Sequence, residues 1–359
     1  ISPAPGSEIA LGLKPALLPL FSAAALASPA AAETIRIASF DPELTRKGPG
    51  LLLRDIARAK DPQILAAAMV IAEVNPDVLL LTGFDWDHDR AALRAFAQLL
   101  ARSGADYPHL LAPQPNRGMA SGVDLDGDGK LAEADDSQGW GSFTGQNGMA
   151  ILSRIPLGEV TDYSATLWRD MPGNIIGDAL SADAAAVQRL STNGHWDVEI
   201  LTQPPLHLLA FAATAPVFDG PEDRNGRRNH DEITFWRTHL PDAPFVLAGN
   251  ANLDPQDGDG RHEAIRTLLA DPRLTDPLPR SDGAQAAADA DHKGDPGLDT
   301  ADWPDGKPGN LRVTYVLPAR DLTVTGSGVF WPLEGQPGSQ SATAASPHKL
   351  VWLDLEIGR

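Results

Sequence analysis

From residue 35 onward the chain switches between two hydrophobic periods. Ile35-Arg36-Ile37-Ala38-Ser39-Phe40 sets apolar side chains at alternate positions, which predicts a strand. Asp61 followed by Pro62 marks a helix start, because the carboxylate accepts from free N–H groups of the first turn and proline lacks one there. Ile64, Ala67, Ala68, Ile71 and Val74 then recur at helical spacing as one apolar stripe. Asn75-Pro76 ends that helix, and Val78-Leu79-Leu80-Leu81 reads as a strand buried on both faces. A second helix is predicted over about residues 89–103, with further strands at 149–152, 206–211, 245–248, 311–317 and 350–355. A Gly- and Asp-rich insert spans about residues 113–148, and a long surface loop spans about 281–310. Short apolar strands, helices and long loops predict a layered α/β fold of two packed sheets with helices outside. No repeat and no Pro/Ser linker divides residues 33–359, which read as a single domain.

Composition narrows the partners. The 359 residues are 42% hydrophobic, enough for a sizeable core, and carry a net charge of -19 with no Lys/Arg-rich run. Such a surface repels a polyphosphate backbone, so nucleic acid is an unlikely partner. With no cysteine, disulfides, thiolate metal sites and cysteine nucleophiles are excluded. Residues 13–32 run from one lysine through an apolar stretch to Ala30-Ala31-Ala32, the order of an export signal with a small-residue cleavage site. Residues 1–32 are therefore expected to be a signal-peptide-like leader, and the protein periplasmic or secreted.

The insert contains the strongest local motif. Asp124, Asp126 and Asp128 stand at positions one, three and five of a calcium-type loop. Gly129 supplies the sharp turn at six, the Lys130 carbonyl would serve at seven, and Asp135 stands at twelve. Carboxylates packed this closely repel unless a cation neutralises them, so a structural Ca²⁺ is expected, stapling the long loop.

Several phrases, in order, resemble a bacterial branch of the endonuclease/exonuclease/phosphatase family. They are Ile37-Ala-Ser-Phe40, Pro76-Asp-Val-Leu-Leu-Leu81, the calcium loop followed by Gly145-Gln-Asn-Gly-Met149, and the stretch from Pro216 through Asp223-Arg-Asn-Gly-Arg-Arg228 to Glu232. Ala248-Gly-Asn-Ala-Asn252, Gly309-Asn-Leu-Arg-Val313, Phe330-Trp-Pro332 and His348-Lys-Leu-Val-Trp352 complete the set. The resemblance spans about residues 34–359. It implies a four-layered α/β sandwich, two packed and mostly antiparallel sheets flanked by helices, and phosphoester hydrolysis with Mg²⁺ or a similar ion.

The implied machinery is altered at nearly every position. Asp41 replaces the strand-end Asn, Gly83 the metal-binding Glu, Ala212 a His, and Asn250 the Asp of a Gly-Asp-x-Asn pair whose Asn252 is kept. Thr314 and Pro347 replace two further Asp residues, while His348 survives. Asn250 cannot accept a proton from water, and lost carboxylates weaken Mg²⁺ or Mn²⁺ binding. Each such loss typically costs ~10²–10⁴ in rate. The resemblance thus implies a degenerate site of Asp41, Asn250, Asn252 and His348, acting by binding a small phosphorylated or anionic ligand. Two alternatives stay open: an active phosphodiesterase or phosphatase with a metal site rebuilt around Asp41 and Asp85, with Asp87 nearby, or an envelope interaction or structural protein. Arg224, Arg227 and Arg228 are candidates to clamp a phosphate, or else members of a salt-bridged brace. His109, His195 and His292 stay unassigned.

Overall fold

The structure is a computed structural model and describes residues 1–6, 33–305 and 308–358. Contacts divide the chain into residues 1–31 and 32–359; the account below concerns the second unit. The export signal expected over residues 13–32 lies outside the described residues.

The strands of one sheet are β1 (Glu33–Phe40), β2 (Val78–Phe84), β3 (His109–Leu111) and β4 (Gly148–Ser153), joined from further along the chain by β10 (Thr323–Val329) and β11 (Val351–Ile357). The other sheet holds β5 (Leu157–Asp162), β6 (His195–Ile200), β7 (Leu206–Ala212), β8 (Phe245–Asn250) and β9 (Thr314–Pro318). Their orders are β10-β11-β1-β2-β4-β3 and β5-β6-β7-β8-β9. All neighbours are antiparallel except β1 with β2 and β7 with β8, one parallel pair in each sheet.

Three apolar layers show why the sheets stack. Ile37, Val78, Leu80 and Leu353 of the first sheet meet Trp196, Val198, Leu208 and Val246 of the second in the central layer. The outer face of the first sheet, including Ala38, Phe40, Leu79 and Leu81, packs against helices α1 (Leu51–Arg58), α2 (Pro62–Val74) and α3 (Ala91–Arg102). Leu209, Phe211, Leu247 and Leu317 pack outward against Ile233 and Ile265. Beyond a short α4 (Ala182–Val187), those two residues belong to α5 (Arg224–Thr234) and α6 (Glu263–Leu269). Two short helices, α7 (Asp282–Ala286) and α8 (Ser339–Ala345), follow. The result is the four-layered sandwich that the sequence implied. Among the described residues, no helix is long and apolar enough to cross a membrane.

The differences have local causes. Residues 311–313 do not extend β9, because the Asp254 carboxylate takes the Arg312 N–H (2.7 Å) and the Thr300 hydroxyl takes that of Val313 (2.9 Å). The loop expected at 281–310 contains α7, capped by Ser281 on Ala284 N–H. The insert carries isolated bridges, Arg117 with Gly139 and Ala120 with Ser137.

The cap on α2 is as expected: Asp61 accepts from Ile64 N–H at 3.1 Å, and its other oxygen meets Arg46 at 3.2 Å. Asp61→Ala should lower unfolding free energy by about 0.5–2 kcal/mol in urea titrations; an unchanged midpoint would mean that the capping bond contributes nothing.

Candidate functional site

Parallel pairing decides where the site lies. It points the C-terminal ends of β1 and β2 the same way, with Phe40 opposite Leu81, and those of β7 and β8 together, with Ala212 opposite Asn250. One cleft of about 730 Å³ is lined by all four ends: Asp41 just past β1, Gly83 in β2, Ala212 in β7 and Asn250 in β8. Asn252 and His348 line it too, so the structure brings together the four residues expected at a degenerate site.

Asp41 is buried, with 8% exposure. Its Oδ1 accepts from Glu43 N–H (3.1 Å) and its Oδ2 from the Asn250 side-chain amide (3.2 Å). A Cβ built on Gly83 would lie 2.0 Å from that Oδ1, and Gly83 sits at φ 66. The Asp41 carboxylate thus fills the space that a side chain at position 83 would need. Asn252, at φ 50, donates through its side chain to Ala213 O (2.8 Å).

Glu43 enters the cleft unannounced by the sequence pattern. It sits at φ 48, and its Oε1 stands 3.8 Å from His348 Nε2. Burial, then the neighbouring Asp41, push its carboxyl up to about 7, with Lys349 pulling the other way. Burial holds His348 below the ordinary imidazole range, opposed by Asp41. Its ring packs edge-on to Trp303, and its Nδ1 has no hydrogen-bond partner. Asn147, Asn193 and Arg117 also line the cleft. The Asn193 side chain donates to Asn147 O (2.7 Å) and leaves its own buried Oδ1 unpaired. Arg117 donates to Trp140 O (3.0 Å) while its Nε stays buried without an acceptor. These loop residues are set by backbone conformation, Asn147 lying at φ 55, and no spacing in the sequence signals them.

Other candidates have different occupations. Asp85 does not share the cleft: it accepts from Thr45 Oγ1 (2.7 Å), Arg46 N–H (2.8 Å) and Asn147 N–H (2.9 Å), and so ties three loops. Asp87 caps α3 through the N–H groups of Ala91 and Ala92. The expected phosphate clamp is largely a brace. Arg228, 4% exposed, donates to the carbonyls of Gln138, Arg189, Leu190 and Ser191. Arg227 pairs with Asp178 at 2.9 Å, and Arg224 donates to Gln188 Oε1 at 3.0 Å. His195 is a core residue held by Ser191 and the Glu232 carbonyl, and burial lowers it to about 4.

In the insert, one ligand atom each of Asp124, Asp126 and Asp128 lies within 4.8 Å of the others. Asp124 also receives the N–H groups of Gly127 and Gly129, and the Lys130 ammonium sits on Asp128 at 2.6 Å. Asp135, expected to close the loop at position twelve, stands outside that cluster. The neighbouring Asp136 is the one that folds the loop, accepting from Leu125 N–H at 2.8 Å.

A two-sheet α/β sandwich with a polar cleft across its strand ends defines the class of scaffold, that of phosphoester hydrolases. The profile of the endonuclease/exonuclease/phosphatase family matches residues 50–348, and the chain belongs to that family. It is similar in fold to the endonuclease/exonuclease/phosphatase from Beutenbergia cavernae, with a TM-score of 0.55 at 19% identity over 90% of this chain and 72% of that one. It is also similar to a family protein from Leptotrichia buccalis, with a TM-score of 0.50 at 15% identity over 90% of this chain and 100% of that one. No curated protein sequence matches the chain.

The family usually works with a divalent metal, and two features of the cleft weigh against one. The Asn250 amide points its N–H, a donor, at Asp41 Oδ2, and among the described residues no three Asp, Glu or His ligand atoms converge in the cleft. Restoring a side chain at position 83 should collide with Asp41. Gly83→Ala is expected to cost about 1–3 kcal/mol, part strain at positive φ and part overlap. Adding Asp41→Ala should recover the overlap part, and strictly additive losses in the double-mutant cycle would show that the two positions do not compete.

Proposed function

We propose that this chain is an exported, calcium-stapled member of its family that binds a small phosphorylated or anionic ligand in the cleft, with metal-dependent hydrolysis lost or very slow. The observation that carries the reading is the Asn250 amide bonded to Asp41 Oδ2 at 3.2 Å. An amide stands where the resemblance expects a metal-binding, base-like carboxylate, and it hydrogen-bonds the carboxylate that has moved in beside it. Beside the carboxylates of Asp41, Glu43 and Asp259, the cavity wall carries groups that stabilise an anion: the amides of Asn147, Asn250 and Asn252, the Arg117 guanidinium and His348. Export is supported by the signal-like order of residues 13–32.

Glu43 makes that binding pH-dependent. With its carboxyl raised to about 7, Glu43 is neutral below that pH and adds a negative charge to the cleft above it. Anion binding should therefore strengthen as pH falls through 7. Bis(4-nitrophenyl) phosphate, which stays a monoanion throughout, serves for both binding and turnover. Calorimetry should show about five-fold tighter binding at pH 6 than at pH 8, with the dependence abolished in Glu43→Gln. Release of 4-nitrophenol with Mg²⁺ or Mn²⁺ should be ~10²–10⁴-fold or more below that of a relative with the carboxylates in place. Turnover at the relative's rate, abolished by Asp41→Ala, would establish a rebuilt metal site instead; no binding at either pH would leave an interaction role.

The carboxylates of Asp124, Asp126 and Asp128 suit a hard oxygen-loving cation, and Ca²⁺ is the one we assign to them. Its uptake requires the Lys130 ammonium to leave Asp128. Calcium should raise the Tm and slow proteolytic cutting within residues 113–148, and Asp124→Ala should abolish both effects. A flat calorimetric titration with Ca²⁺ would sink the assignment.

A further inference from the structure

A second cavity of about 590 Å³ adjoins the cleft, and the two share Arg117, Ala215, Val217 and Phe218. Phe218 is 92% exposed and sits at φ 68. A left-handed backbone costs an L-residue roughly 1–2 kcal/mol, and for a bulky side chain it is a clear outlier. The conformation is pinned on both sides by Asn225, which donates from its side chain to Val217 O (2.7 Å) and from its backbone to Asp219 Oδ2 (2.5 Å). The chain is therefore fixed so that an aromatic ring stands in water at the junction of two cavities. Trp140, 52% exposed, lines the second cavity, and its carbonyl holds Arg117. Arg117 in turn keeps a buried Nε with no acceptor at that junction.

We propose that the two cavities form one groove for a phosphomonoester carrying a single flat ring, the phosphate meeting Arg117 and the cleft amides and the ring lying on Phe218. The inference rests on the anion-binding reading of the cleft and names the ligand class. Charge restricts that ligand further. Asp126, Asp135, Asp219 and Glu222 line the outer cavity with Arg117, Arg224 and Arg228, but Arg224 and Arg228 are already bonded to Gln188 Oε1 and to backbone carbonyls, so a second phosphate there meets carboxylates. An uncharged planar group does not, and its face gains from contact with a fixed ring. A strand of nucleic acid, with a phosphate on every unit, is the wrong shape of charge for this groove.

The test compares methyl phosphate with phenyl phosphate at pH 8, where both are dianions and differ by a ring, by calorimetry on the full chain. Phenyl phosphate should bind about ten-fold or more tighter, within the range that ring stacking supplies. Phe218→Ala should reduce that ratio to near one, while Phe218→Trp should keep the ratio. Because the side chain is exposed, both variants should unfold at the native midpoint. Equal affinities in the native chain, or a ring preference that survives Phe218→Ala, would overturn the groove alone. Failure of both compounds to bind would overturn the anion-binding reading with it.

Discussion

Each sheet contains one parallel strand pair, and that constraint decides what the cleft can contain. Parallel neighbours end on the same side, so β1 with β2 and β7 with β8 deliver four C-terminal ends to one cavity. The apolar layer between the sheets fixes their separation, and with it the distance across which Asp41 and Asn250 meet. Chemistry at these ends is then a matter of which side chain each strand carries there. Two carboxylates facing each other would need a cation or a shared proton. A carboxylate facing an amide needs neither.

The same crowding explains why substitutions here come as a set. A side chain at 83 and the Asp41 carboxylate require one volume, as the 2.0 Å approach shows. Negative charge supplied from β1 at that point leaves β2 able to carry only glycine, and glycine in turn accepts the φ of 66 without cost. Glu43 adds charge of a different kind. With its carboxyl raised to about 7, it is a group whose charge depends on conditions.

How much of this could be read from residues alone follows from which force builds each element. β1, β2 and α2 are built by apolar burial, and alternation, a continuous apolar run and a helical stripe with an Asp61 cap announced them. α5 could not be read in the same way: its sequence Arg-Asn-Gly-Arg-Arg-Asn-His-Asp-Glu-Ile-Thr has no apolar stripe, yet Arg228, Asn229, Asp231 and Glu232 are buried. It is held by hydrogen bonds, which leave no period in a hydropathy pattern. β5 went unseen because it is an edge strand whose Glu159, Val160, Thr161 and Asp162 face solvent. At the site, Asp41, Asn250, Asn252 and His348 were readable through the family resemblance, whose phrases run up to or contain them. Arg117, Asn147 and Asn193 were not, because loop turns aim them. Asp85 and Asp87 were placed by nearness in sequence, and backbone N–H groups claimed both.

The buried polar brace also explains how a cleft can persist when its reacting groups change. Glu232, fully buried, accepts from the N–H groups of Thr192 and Thr214, next to the cleft residues Asn193, Ala213 and Ala215. Arg228 fixes the carbonyls of 138 and 189–191 behind them. Removing either would strand several backbone groups without partners, each costing roughly 1–3 kcal/mol. None of these bonds passes through Asp41, Gly83, Asn250 or His348. Shape is therefore set by one network and reactivity by another, so catalytic carboxylates can be exchanged for amides and glycine while the walls around Arg117 and Phe218 stay in place. The walls of such a cleft are held on grounds independent of the side chains that its strand ends carry.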